Sequence, residues 1–297
     1  MKIAISGASG FVGRRLLKVL GGGAHALHVL SRHAGTNLPP GVGITVWDPL
    51  RGIAPETGLA GVDAVIHLAG EPVAQRWTAD VKRRIRESRV TGTHNLVEGM
   101  RRLSKPPAAL ICASAIGYYG SRGDESLTES AGPGEGFLPE VCVAWEREAV
   151  AAEALGVRVV RIRIGVVLDR NGGALRRMLP PFRLGLGGRL GSGRQYLSWI
   201  HLDDLAGMFR FALESQARGV WNGVAPNPVT NAEFTRTLAA ALHRPAVFPV
   251  PGLALKALFG EMGGMLLDSQ RVVPDAARAA GFPFRYPELG GAIAAAL

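Results

Sequence analysis

Three glycines, Gly7, Gly10 and Gly13, are the residues whose spacing speaks most directly of chemistry. Gly7 permits a tight turn, Gly10 lets a pyrophosphate approach the backbone, and Gly13 lets a helix pack close to a sheet. The unpaired amides at the start of that helix would face the anion. Ser9, Phe11 and Val12 therefore join the three glycines as candidate cofactor-binding residues. About 20 residues further on, a protein that grips a free ribose 2′-hydroxyl carries an acid. This chain has Ser31-Arg32-His33 and no acid there. A guanidinium binds a 2′-phosphate through charged hydrogen bonds, whereas a carboxylate would repel it. Ser31 and Arg32 thus point to NADP(H) rather than NAD(H). Downstream, Asp48 is placed to accept from an adenine amino group or to start a turn. Leu68-Ala69-Gly70 offers small residues where a cofactor crosses the sheet. Ser114 has a hydroxyl at a strand end, and Tyr118 and Tyr119 supply the phenols near it. Either phenol could act as an acid, or both could pack the loop.

The elements that must hold these residues are strands and helices in alternation. Lys2 to Ile5 reads as a strand buried on both faces, and Arg14 to Leu20 has helical apolar spacing. Ala26–Leu30, Ile44–Trp47, Ala109–Ala113 and Val157–Leu168 read as further strands, the last running into a loop, and Gly61–Gly70 reads as a strand followed by a loop of small residues. A helix is expected from about Thr78 to Arg101, broken or kinked on the way, and another from Phe137 to Leu155. Ser121 to Gly136 reads as a mobile loop that covers the site. This alternation predicts an α/β fold, a Rossmann-type doubly wound parallel sheet with a smaller C-terminal substrate domain. Residues 1–165 are expected to form the NADP(H)-binding domain, with about 196–224 returning to it. Residues 166–297 are expected to form the substrate domain.

With 297 residues and a hydrophobic fraction of 47%, the chain has ample material for a core. No apolar run is long enough to span a bilayer, and no signal peptide is expected, since the first strand runs straight into the glycine turn with no basic leader and h-region. Two cysteines imply no disulfide framework, and a cytoplasmic location fits best. Cys112 reads as core packing. The net charge of +10 is spread over scattered arginines. The dense run Lys82 to Arg89 reads as a solvated helix face, so neither nucleic acid nor membrane is expected as a partner. A small-molecule substrate and a monomer or homodimer are expected. There is no metal-ligand spacing and no Gly-x-Ser-x-Gly elbow.

The glycine pattern, His67-Leu68-Ala69-Gly70, Ser114 with Tyr119-Gly120, and Trp199-Ile200-His201-Leu202-Asp203-Asp204 together resemble the extended short-chain dehydrogenase/reductase superfamily, in its nucleotide-sugar epimerase and dehydratase group. Ser88-Arg89-Val90-x-Gly92-Thr93, Ser114 to Gly120, Trp145-Glu146 and an extension from about Val247 are similar to the epimerase-family subgroup that includes human member 39U. The likeness covers nearly the whole chain. It implies NADP(H) binding, and it implies that Arg163, Gly165 and His201 stand on the cofactor side, although a buried, satisfied histidine is the other reading of His201. Arg89 occupies the place of an asparagine that usually supports the catalytic network, so it joins Ser114, Tyr118 and Tyr119 as a catalytic candidate. Its alternative is a surface partner for Glu87 or Glu98.

The superfamily's Tyr-x-x-x-Lys pair is missing. Cys142 and Glu146 stand in its positions, and a carboxylate destabilises any anion beside it. The function expected is oxidoreductase or epimerase chemistry on a small carbonyl, hydroxyl or sugar-nucleotide-like compound. The rival is a catalytically weak NADP(H)-binding redox sensor.

Overall fold

The computed structural model describes residues 1–23, 25–34 and 38–297. Lys2–Ser6 (β1) leads through the glycine turn into Phe11–Gly21 (α1), which buries Leu16, Leu17 and Leu20. Ala26–Ser31 (β2), Gly43–Val46 (β3), the short helix Glu56–Leu59 (α2) and Ala64–His67 (β4) follow. Next come Ala79–Arg101 (α3), Ala109–Ala115 (β5), Ser126–Leu127 (β6) and Phe137–Val150 (α4). Arg158–Ile164 (β7), Val166–Asp169 (β8), Gly173–Arg183 (α5), Tyr196–Leu197 (β9), Trp199–His201 (β10), Leu202–Glu214 (α6) and Gly219–Gly223 (β11) complete the middle of the chain. It closes with Val229–Thr230 (β12), Asn231–Ala241 (α7), Gly252–Phe259 (α8), Met262–Met265 (α9), Arg271–Val272 (β13), Asp275–Ala279 (α10) and Leu289–Ala296 (α11).

Among the described residues the main sheet has seven strands, ordered β11-β7-β5-β4-β1-β2-β3 and all parallel. From β1 the chain winds outward through β2 and β3, then returns to β4 on the other side. That reversal opens a crevice at the carboxyl ends of β1 and β4, where ligands bind in such sheets. The central strands are near-continuous apolar runs because helices cover both faces. Here α1 packs with α6, and α3 with α4. A second core gathers Leu175, Trp199, Phe234, Leu289 and Ile293 from α5, β10, α7 and α11. Of the stretch 196–224, β11 pairs with β7 in the main sheet, whereas β9 and β10 pair with β12 and β8 in two-stranded ribbons.

Three expectations need correction. α3 is one unbroken helix, capped by Thr78, whose side chain accepts from Val81 N. Its Gly99 is not a breaker. A Cβ there would meet Ala54 O at 2.6 Å, so the glycine buys close contact with the chain before α2. The segment 121–136 is not a free loop. Its β6 pairs in parallel with β13, and Ser269 N donates to Ser121 Oγ (3.1 Å). The expected long strand Val157–Leu168 is two strands parted at Gly165. A Cβ at Gly165 would lie 2.6 Å from Ser198 O, so the backbone turns aside there to pair with β10.

Candidate active site

The crevice is a cleft of about 380 Å³ lined by Gly7, Ser9, Gly10, Ser31, Arg32, Asp48, Leu68, Ala69 and Gly70, together with Trp47, Glu71 and Ser88. Gly7 has φ +73°, and a Cβ on it would sit 2.7 Å from the Leu68 carbonyl carbon. A Cβ on Gly13 would overlap Gly7 O and meet Ala8 Cα at 2.6 Å. The turn and the helix start are thus closed so tightly that only hydrogen fits. Gly10 caps α1, Gly10 N donates to Gly7 O (3.0 Å), and the first-turn amides have no acceptor within the helix. Free amides at a glycine-closed helix start are the kind of feature that can hold a diphosphate.

Ser31 ends β2, next to β1 in the sheet, and Arg32 follows it; both line the cleft. The Ser31 hydroxyl accepts from His33 N (3.3 Å). Asp48 accepts from Leu50 N (3.0 Å) and pairs with Arg51 (3.4 Å), so it builds a turn while lining the cleft. Phe11, Val12 and Gly13 do not line it; the Phe11 ring packs under Gly172-Gly173.

Beneath the cleft lies a buried polar chain that sequence reasoning missed. Ser6 Oγ and His67 Nδ1 stand 2.5 Å apart, and His67 Nε2 reaches Thr93 Oγ1 at 3.1 Å. Burial pushes the His67 pKa down to about 4. The ring is therefore neutral at pH 7 and links β1, β4 and α3.

A second polar cluster stands two strands along from the glycine turn. The β5–β7 register sets Ser114 opposite Arg163. Arg163 Nε donates to Glu146 Oε1 (2.7 Å) and Nη2 to Oε2 (2.9 Å), while Arg161 Nη1 reaches Oε2 at 3.4 Å. Ser114 Oγ donates to Glu146 Oε1 (2.7 Å). Its proton is thus committed, and the oxygen is left to accept. Burial works against the Arg163 charge, but the hydrogen bonds and charge of Glu146 outweigh it and raise its pKa. Glu146 was legible as a departure from the superfamily pattern. Its role as the counter-ion of Arg163 was not. The available signal was Arg161 and Arg163 inside the apolar strand β7, charges that call for a carboxylate, whereas Arg158 of the same strand is met by backbone carbonyls.

The two phenols have different surroundings. The Tyr119 hydroxyl donates toward Asn222 Oδ1 (2.7 Å), with Thr128 O at 3.1 Å, and accepts from Arg163 Nη1 (3.0 Å). Tyr119 is fully buried, and burial raises its pKa although Arg163 opposes this. Tyr118 is half-buried, and the Arg163 guanidinium carbon lies 3.3 Å from its ring centre. Gln270 Nε2 donates to Ile116 O and Gly120 O, both at 3.0 Å, and so holds the two ends of the turn that bears both phenols.

Arg89 is partnered with neither Glu87 nor Glu98. Its Nη1 donates to Glu71 O (3.0 Å) and Ile85 O (3.1 Å), its guanidinium stacks on Trp145, and a Cβ on Gly70 would touch it at 3.3 Å. It bridges the cleft wall to α4. The Cys142 pKa is pushed up to about 12, by burial first and by Glu146 second, so this thiol is inert near neutrality. Gly165 donates to Gly223 O and is enclosed by Ser198 and Val224. His201 caps α6, its Nδ1 accepting from Asp203 N (3.1 Å), and its ring packs 4.1 Å from that of Tyr286. It does not line the cleft.

A doubly wound sheet with a glycine-closed turn at its switch point defines a nucleotide-binding α/β protein. Residues 3–224 match the model of the NAD dependent epimerase/dehydratase family, and residues 250–296 match a domain of unknown function, DUF1731. The chain belongs to the NAD dependent epimerase/dehydratase family. It is 40% identical to mouse epimerase family protein SDR39U1 over 303 residues, covering 99% of this chain and 98% of that one. It is 39% identical to epimerase family protein YfhF of Bacillus subtilis, covering 97% and 95%. A crystal structure of human SDR39U1 (isoform 2) with NADPH superposes with a TM-score of 0.88 at 37% identity, covering 100% of this chain and 99% of that one.

Proposed function

We propose that this chain binds NADP(H) and acts as an epimerase-family oxidoreductase on a small carbonyl or hydroxyl compound, of which a sugar nucleotide is one possible class. The observation that carries the reading is the cradle that a Cβ on Gly7 or Gly13 would fill, in a cleft that Arg32 also lines. Amides of the glycine turn and of the α1 start would hold the diphosphate. Arg32 and Ser31 would hold the 2′-phosphate. The full-length similarity to a human protein crystallised with NADPH supports the same assignment. The bound nucleotide would supply the hydride, and the protein's part is to bind, orient and move a proton.

For the proton, Tyr118 is the better candidate. Among the described residues it has no side-chain hydrogen bond, whereas the Tyr119 hydroxyl is engaged on both sides. Arg163 puts a guanidinium against the Tyr118 ring, a cation supplied from β7 because Glu146 holds the position of the superfamily's lysine. Ser114, with its proton held by Glu146, would accept a hydrogen bond from a substrate hydroxyl. The test is calorimetric titration with NADPH and NADH, in which NADPH binds at least about tenfold tighter and Arg32→Ala narrows the gap. Equal affinity of the native protein for both nucleotides defeats this reading of Arg32.

The commitment of the Ser114 proton and of the Tyr119 hydroxyl favours a second reading, an NADP(H)-binding redox sensor with little turnover. Bound NADPH that no member of a broad carbonyl panel oxidises would select it.

A further inference from the structure

The fold assembles a charged surface that the sequence leaves in pieces. Residues 170–202 contain six arginines and no carboxylate, and residues 234–260 contain Arg236, Arg244, Lys256 and no carboxylate. Nearly all of the net +10 charge lies in these two stretches. They run side by side. Arg244 Nε donates to Arg183 O (3.0 Å), Val250 N to Arg189 O (2.8 Å) and Gly191 N to Val250 O (2.9 Å).

The same two stretches carry most of the large exposed apolar side chains among the described residues. Leu184 is 74% exposed, Leu186 60%, Val247 70% and Phe248 58%, and Leu253 and Leu258 of α8 continue the series. Arg183, Arg189, Arg244 and Lys256 are exposed, and none is paired with a carboxylate among the described residues. Such a cluster of protruding apolar groups marks an interaction surface rather than scatter.

We propose that this face docks onto an anionic lipid bilayer. Leu184, Leu186, Val247 and Phe248 enter the boundary between headgroups and acyl chains, and Arg183, Arg189 and Arg244 meet the lipid phosphates. Three features favour this occupant. A second copy of the chain would bring two unneutralised arginine clusters together. Nucleic acid would supply the negative charge but nothing for four aliphatic or phenyl groups to enter. A bilayer supplies both. No helix among the described residues is long and apolar enough to cross a membrane, so the contact is peripheral. The sequence reading, which treats the arginines as scattered, expects no membrane partner. The pairing of the 183–191 and 244–250 segments changes that.

The test is co-sedimentation of the full chain with sonicated vesicles, either phosphatidylcholine alone or phosphatidylcholine with an equal part of phosphatidylglycerol. The protein is expected to pellet with the anionic vesicles, to stay in solution with the neutral ones, and to release as salt rises. Leu184→Ser with Phe248→Ser is expected to lower the partition constant at least tenfold. Arg183→Gln and Arg244→Gln should each lower it roughly fivefold. Thermal melts of each variant verify that the fold is intact. Failure to pellet with anionic vesicles at low salt overturns the proposal. So does binding that ignores the loss of both apolar groups, or equilibrium sedimentation showing a dimer that Phe248→Ser dissociates in the absence of vesicles.

Discussion

Glu146 and Arg163 face each other inside the protein as a two-point ion pair, at 2.7 and 2.9 Å, with side chains only 5% and 4% exposed. The pair joins α4 to β7 and also fixes Ser114 and Tyr119. Removing one partner strands the other charge in the interior, which costs about 3–5 kcal/mol. Glu146→Gln or Arg163→Met alone is therefore expected to lower the urea midpoint steeply. Arg163→Met combined with Glu146→Met should be less damaging than either single change, because the fully enclosed charges are both gone and only the more exposed Arg161 loses its carboxylate. A double variant no more stable than the singles would contradict this.

The glycine turn makes a second prediction. Gly7 is in left-handed backbone and its absent Cβ faces the Leu68–Ala69 peptide. Gly7→Ala must push β1 away from β4, so NADPH affinity should fall by more than tenfold and stability by about 1–3 kcal/mol. Gly61, also at positive φ but with open space around it, is the control. Gly61→Ala should leave NADPH binding intact, as read by fluorescence titration.

The two adjacent phenols should separate cleanly by substitution. Tyr119→Phe removes a hydroxyl that Arg163 and Asn222 both use, and should cost about 1–3 kcal/mol of stability. Tyr118→Phe removes no such bond and should leave the denaturation curve in place. If the chain turns over a substrate, Tyr118→Phe should lower kcat by about 10²–10⁴-fold. An unchanged kcat would remove Tyr118 from the mechanism.

His67 sets a pH dependence. Its folded pKa of about 4 lies below the unfolded value of 6.5, so between those values the unfolded chain binds a proton that the folded chain refuses. Stability is full above about pH 6.5 and declines toward pH 4, by about 3 kcal/mol from this group. His67→Gln should flatten that part of the profile, measured as unfolding free energy against pH in urea. An identical slope in the variant would assign the effect to other groups.

Much of this arrangement was legible in the sequence. Short apolar runs gave the strands, and the glycine spacing with Arg32 after β2 marked the cleft, because those features are local and periodic. What escaped was set by distant contacts. The partnership of Glu146 with Arg163 needs the β5–β7 register as well as the helix face. The break or kink expected within α3 is absent, and the close contact of its Gly99 with Ala54 is visible only in the fold. Ser121 to Gly136 has the composition of a mobile loop, and only its pairing with β13 shows otherwise. His67 and Thr93 both fall within motifs that carry the family resemblance, but nothing local shows the hydrogen bond between them, which joins residues 26 positions apart.

Gln270 lies 154 and 150 positions from the carbonyls it holds, within the stretch that matches the domain of unknown function. The tail adds no side chain to the nucleotide cleft, yet one amide from it sets the spacing of the loop that presents Tyr118. If Tyr118 acts as proposed, exchanging this tail for that of a relative would retune the reacting end of the protein while leaving nucleotide affinity alone.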